Sequence, residues 1–151
     1  MTRQLDISEI TNYLCISGFP KRESVELIRD MGVRLIISMY LRKPDKILGE
    51  PPIRLLWLPV FDSPIIPIPL RIFRIGVNAA LPVIEAGGKV LVHCRWGIHR
   101  SVAMACCVLI GKGFTTSEAV ALIKQKRAVA DPEAGYILAR VKKFEQELLT
   151  E

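Results

Sequence analysis

From Ser101 to Ile110 the chain has no charged residue, and every side chain after the serine is apolar or small. A helix that is apolar all round has no solvent face and must pass through the centre of a fold. It is preceded by Lys89-Val90-Leu91-Val92, the clearest strand in the chain. Val33 to Ser38 and Ile53 to Val60 are β-rich runs that suit a sheet covered on its faces by helices. Together these point to a layered α/β domain.

The rest of the chain alternates in the same sense. Tyr13-Leu14-Cys15-Ile16 reads as a short strand that ends at Ser17-Gly18-Phe19-Pro20. Glu23 to Met31 reads as a helix closed by Gly32. Val33 to Ser38 and Ile53 to Val60 read as two further strands, with Leu41 to Pro52 as a loop between them. Three prolines exclude regular helix from Phe61 to Pro69. Leu70 to Glu85 is helical in character, and Pro82 is expected to kink or split it. Thr115 and Glu118 form a capping-box pattern for a helix over Ser117 to Lys126. Asp131-Pro132 reads as an N-cap followed by the first residue of a last helix, whose apolar face holds Ile137, Val141, Phe144 and Leu148. The expectation is one domain over residues 1–151, with a central, mostly parallel sheet of four or five strands flanked by helices.

Composition supports this and narrows the partners. Of 151 residues, 50% are hydrophobic and 24% charged, enough apolar content to exclude a disordered chain. The net charge of +6 favours anionic partners. Cys15, Cys94, Cys106 and Cys107 show no CxxC pair or framework, which suggests a reducing compartment. The opening residues lack an apolar leader, and the longest apolar run is too short to span a bilayer. A cytoplasmic, monomeric protein is the expectation.

The chemistry concentrates in His93-Cys94-Arg95-Trp96-Gly97-Ile98-His99-Arg100-Ser101, between the best strand and the buried helix. Unpaired N–H groups at a helix start, with the helix dipole behind them, make such a junction an anion site. The backbone of Arg95, Trp96, Gly97, Ile98 and His99 can curl around one phosphate, and Gly97 permits conformations that other residues resist. Arg100 supplies a planar fork of donors for two phosphate oxygens. The same field lowers the pKa of Cys94, so that its thiolate faces a bound phosphate ester as a nucleophile.

The pattern H-C-x5-R-S over His93 to Ser101 resembles the signature of cysteine-dependent protein tyrosine phosphatases, and the chain's length and element order resemble the compact dual-specificity branch. Lys126-Arg127 through Asp131-Pro132-Glu133-Ala134-Gly135-Tyr136 is similar, in degenerate form, to that branch's closing segment. The resemblance implies that Cys94 forms a phosphocysteine and Arg100 stabilises the transition state. It further implies that Ser101 helps the thiolate leave and His93 orients the loop and tunes the thiol. It also implies a general acid on a separate loop. Asp62 lies 32 residues before Cys94 and is the only carboxylate between Glu50 and Glu85. No metal or cofactor is implied. The substrates implied are phosphorylated proteins or peptides, bearing phosphotyrosine with phosphoserine and phosphothreonine as further candidates, and no nucleic acid is required.

Arg95, Trp96 and His99 make the loop bulkier and more basic than the plainest form of that signature. They keep a phosphoinositide or an RNA 5′-phosphate open as alternative substrates. A non-catalytic phosphate-binding module and a redox or sulfur-transfer protein are the rivals from other classes. Cys15 is a candidate partner for Cys94 on oxidation. Lys124-Gln125-Lys126-Arg127 and Arg140-Val141-Lys142-Lys143 read as solvated basic faces.

Overall fold

The computed structural model describes residues 5–151; the opening residues 1–4, read above as lacking an apolar leader, lie outside the described residues. Five strands form one sheet: β1 (Ile7–Glu9), β2 (Leu14–Ser17), β3 (Val33–Ser38), β4 (Arg54–Trp57) and β5 (Lys89–His93). Their order is β1-β2-β5-β3-β4. The β2–β5, β5–β3 and β3–β4 pairs are parallel, and β1 pairs antiparallel with β2 at the edge. Five α-helices accompany them: α1 (Val25–Asp30), α2 (Leu70–Glu85), α3 (Arg100–Gly111), α4 (Thr116–Lys126) and α5 (Gly135–Leu149).

The side-chain alternation of the strands divides the core in two. Leu35, Ile37, Val90 and Val92 face a large cluster with α2, α3 and α5. Cys15, Val33, Ile36 and Leu91 face a smaller one beneath Val25 and Ile28 of α1. A register irregularity between Val33 and Leu35 lets Val33 join Ile36 on the smaller side. Every residue of α3 from Arg100 to Ile110 is buried, as the apolar run from Val102 onward requires, and Arg100 and Ser101 are buried with it at the site end. Gly76 lets α2 cross α3 closely, because a Cβ there would lie 2.5 Å from the Met104 side chain.

Several expectations are corrected. The edge strand β1 was not anticipated. The strand expected over Ile53 to Val60 is regular only from Arg54 to Trp57. Beyond it the chain still leans on β3, with Leu58 N–H donating to Ser38 O at 2.8 Å. Arg22–Ser24 is a 3₁₀ turn ahead of α1, and Lys46–Gly49 forms another inside the expected loop. Pro82 does not split α2, which runs unbroken from Leu70 to Glu85. The proline sits in the last turn, so only three helical residues follow it. The capping box of Thr115 and Glu118 is formed, with both reciprocal hydrogen bonds present. Asp131 does not cap the last helix: α5 starts at Gly135 with Ala134 as its cap residue. Among the described residues no helix is long and apolar enough to cross a membrane.

Candidate active site

Because β2, β5, β3 and β4 run in parallel, the segments following them emerge at one edge of the sheet. Ligands in open parallel sheets bind outside the carboxyl ends of the strands. Residues 94–99 connect β5 to α3 at this edge. No side chain caps α3, so its first N–H groups are left to the loop.

Cys94 is buried at the base of this loop, its Sγ 3.2 Å from Ser101 Oγ. Burial pushes the thiol pKa up. The Ser101 hydroxyl, the N–H groups of Ser101 and Gly97 and the charge of Arg100 pull it down, and the net result lies below the ordinary thiol value. The other cysteines go the opposite way. Burial, with the Glu9 charge, pushes Cys15 up to about 11; burial alone pushes Cys106 up to about 12, and Cys107 is well above its ordinary value. Only Cys94 is prepared to ionise.

Two groups fix the loop's shape. Gly97 has φ +67°, and a Cβ there would meet the Arg127 guanidinium at 2.6 Å and Ser17 O at 2.8 Å. Arg127, 2% exposed, donates from Nε to Gly97 O at 2.8 Å and from Nη2 to Trp96 O at 3.0 Å. The fork's other side pairs with Asp6 at 2.7 Å and bonds Ser8 Oγ at 3.0 Å. Beneath the loop, His93 is fully buried with Nδ1 3.0 Å from Cys94 O. Burial, aided by the Arg100 charge, lowers its pKa to about 4. The ring is therefore neutral and donates Nδ1–H to that carbonyl.

Arg100 is almost wholly buried. Its Nη1 donates to Val60 O at 3.2 Å, and its guanidinium carbon lies 5.2 Å from the Tyr40 ring centroid. These contacts hold the fork beside Cys94.

Asp62 follows β4 and reaches the same edge. Its Oδ2 lies 3.1 Å from His99 Nδ1, and its Oδ1 accepts from Tyr136 Oη at 2.5 Å. On the far side of the imidazole, His99 Nε2 lies 3.4 Å from Asp131 Oδ2. The Tyr136 phenol is pushed up to about 12 by burial and then by its bond to Asp62 and the nearby carboxylate charges. It therefore stays protonated and donates. The loop's fifth position after the cysteine is thus tied directly to the carboxylate that the sequence singled out.

A family model described as "Dual specificity phosphatase, catalytic domain" matches residues 17–147. The chain belongs to this family. Dual specificity phosphatase 28 of Mus musculus is 29% identical over 126 residues, 83% of this chain and 75% of that protein. Dual specificity protein phosphatase 5 of Rattus norvegicus is 28% identical over 142 residues, 93% of this chain. The match takes in 36% of that relative, so the chain spans about a third of its length. The crystal structure of human DUSP28 shares the fold, with a TM-score of 0.84 at 24% identity over 95% of each chain.

In this dual specificity phosphatase domain, His93, Cys94, Gly97, His99, Arg100, Ser101 and Asp62 converge. Arg95 and Trp96 do not close over Cys94. Trp96 is 62% exposed, with the Arg95 guanidinium 4.9 Å from its ring centroid. Both line a neighbouring cleft of about 540 Å³ with Phe19, Tyr40 and Arg42. Ile98 meets the closing segment instead, its carbonyl accepting Asp131 N–H at 3.0 Å. Cys15 and Cys94 are both free and belong to separate clusters on the two faces of the sheet, so the fold does not bring them together. Three site residues were missed. Arg127 was read as part of a solvated face, Asp131 as a helix cap, and Tyr136 was given no role. All three belong to the closing segment, whose likeness to the family was the available signal.

Proposed function

We propose that residues 1–151 form one catalytic domain that hydrolyses phosphotyrosine, and also phosphoserine and phosphothreonine, in proteins or peptides, acting as a cytoplasmic monomer without metal or cofactor. The observation that carries this reading is the Cys94 thiol: it is buried yet favours ionisation, because Ser101, two backbone N–H groups and Arg100 converge on it. The free, buried state of all four cysteines supports a reducing compartment.

In the first step the Cys94 thiolate attacks phosphorus and an S–P bond forms. The ester P–O bond breaks, and the leaving oxygen takes its electron pair and a proton from Asp62. Arg100 and the N–H groups of the loop hold the equatorial oxygens, whose charge they stabilise in the transition state. In the second step water attacks phosphorus and gives its proton to Asp62. The S–P bond breaks, and the Ser101 hydroxyl donates to the departing thiolate. His93 holds the Cys94 carbonyl and so the direction of the loop. His99 and Tyr136 position Asp62, and Asp131 steadies His99 from behind.

The test is hydrolysis of an aryl phosphate in the presence of chelator, comparing wild type with Cys94→Ser and Asp62→Asn. Turnover by wild type, none by Cys94→Ser and a slowed rate for Asp62→Asn support the proposal. Wild-type protein that binds a phosphopeptide without turning it over would make the domain a binding module. A panel of phosphopeptides, a phosphoinositide and a 5′-phosphorylated RNA then assigns the substrate.

A further inference from the structure

The same sheet edge that holds the candidate site also gathers much of the protein's exposed apolar surface. Phe61, Ile65 and Ile66 are 51%, 86% and 50% exposed on the segment after β4, Leu41 is exposed after β3, and Trp96 after β5. Ile65 and Ile66 stand on a proline-bracketed stretch, Pro64 to Pro67, with both of their N–H groups bonded to Ser63 Oγ. They project from a locally fixed turn rather than lining a groove. Cations interleave with them: Lys21, Arg42, Lys43 and Arg95 are exposed on the same edge. None of these four forms an ion pair among the described residues, whereas the carboxylates Asp6, Asp45 and Asp62 are each paired or hydrogen-bonded within the fold. Arg42, Lys43 and Arg95 lie over the rings of Phe19, Trp57 and Trp96.

We infer that this rim docks on an anionic lipid surface. Exposed apolar side chains gathered at one edge of a sheet mark an interaction site. Projecting aliphatic and aromatic side chains set among unpaired cations suit the boundary between acyl chains and acidic headgroups, where each element finds its own partner. Phe61, Ile65 and Ile66 project outside the cleft that Arg95 and Trp96 line, so a protein partner would meet apolar tips there rather than a pocket. Docked in this way, the mouth of the candidate site faces the membrane, and phosphate esters held at that surface are presented to Cys94. The docking itself does not depend on catalysis.

The test is co-sedimentation of the full chain with vesicles of phosphatidylcholine alone and of phosphatidylcholine with phosphatidylserine, at low and high salt. Binding to the acidic vesicles alone, weakened by salt, is expected. Ile65→Asp/Ile66→Asp and Arg42→Glu/Lys43→Glu should each lower the affinity on the order of tenfold or more. Unchanged thermal unfolding of both variants, and unchanged hydrolysis of a soluble aryl phosphate by the isoleucine pair, would show that the site is intact. Lys142→Glu/Lys143→Glu on α5 should bind as wild type. Absence of binding to acidic vesicles overturns the inference. So does an equal loss in the α5 variant, which would reduce the effect to net charge, or retention of binding by the isoleucine pair.

Discussion

Arg127 Nε donates to the carbonyl of Gly97 at 2.8 Å, tying the end of α4 to the middle of the loop that surrounds Cys94. The same guanidinium reaches Trp96 O, Ser8 Oγ and Asp6, so one buried side chain joins the loop, the edge strand and the closing segment. Arg127→Met removes these charge-assisted bonds while keeping the stem. We expect a loss of about 2–4 kcal/mol of stability, measured by urea unfolding, and a larger loss of turnover than of folded protein. A variant with wild-type turnover would show that the loop keeps its shape without the clasp.

Gly97→Ala addresses the same contact from the other side. The methyl group would meet both the guanidinium and the backbone of Ser17, at a φ that side chains rarely adopt. We expect folded protein with turnover below detection, together with weakened inhibition by an oxyanion such as vanadate.

Ser101→Ala removes the hydroxyl 3.2 Å from Cys94 Sγ. The thiol pKa should rise, moving the pH dependence of iodoacetate alkylation to higher pH. Breakdown of the phosphoenzyme should slow more than its formation, which a burst of product in rapid-mixing kinetics reveals. An unshifted alkylation profile would mean that the backbone N–H groups and Arg100 alone depress the thiol.

His93 is held neutral, its pKa lowered from 6.5 to about 4 mainly by burial. The unfolded chain therefore binds more protons than the folded one between those values. This contribution to stability is fully present above pH 6.5 and is lost as pH falls toward 4. The loss amounts to about 3 kcal/mol. Wild type should lose this much more stability across that window than His93→Gln, as read by chemical unfolding at a series of pH values. Parallel pH dependences in the two proteins would contradict the assignment.

The lower-order architecture was legible because burial writes itself into residue type. The all-apolar α3 and the β-rich β5 could only be central, and the loop between them followed. The residues that escaped notice work through distance in space. β1 is a three-residue edge strand, too short for an alternation to show. Arg127 sits among Lys124 and Lys126, and a run of cations looks like a solvated face until tertiary structure buries one of them. Asp131-Pro132 looks like a helix start. It instead forms a turn whose carboxylate reaches His99, a contact that no local pattern encodes.

The Asp62–His99 contact supplies a further prediction. Asp62→Asn should lower turnover about a hundredfold for substrates with poor leaving groups, and less for activated aryl esters. His99→Ala misplaces the carboxylate and should cost about tenfold or more in wild type. In the Asp62→Asn background it should cost no more than about twofold, since the two residues act together. Additive effects in a double-mutant cycle would separate them.

The account rests on a covalent bond between Cys94 and phosphorus. The direct measurement is mass analysis of the protein after rapid mixing with an aryl phosphate and acid quench, with peptides mapped to locate the adduct. We predict a phosphoryl group on the peptide that contains Cys94, accumulating further in Ser101→Ala and absent in Cys94→Ser. Steady hydrolysis with no adduct on Cys94, or with the phosphoryl group on another residue, would contradict it.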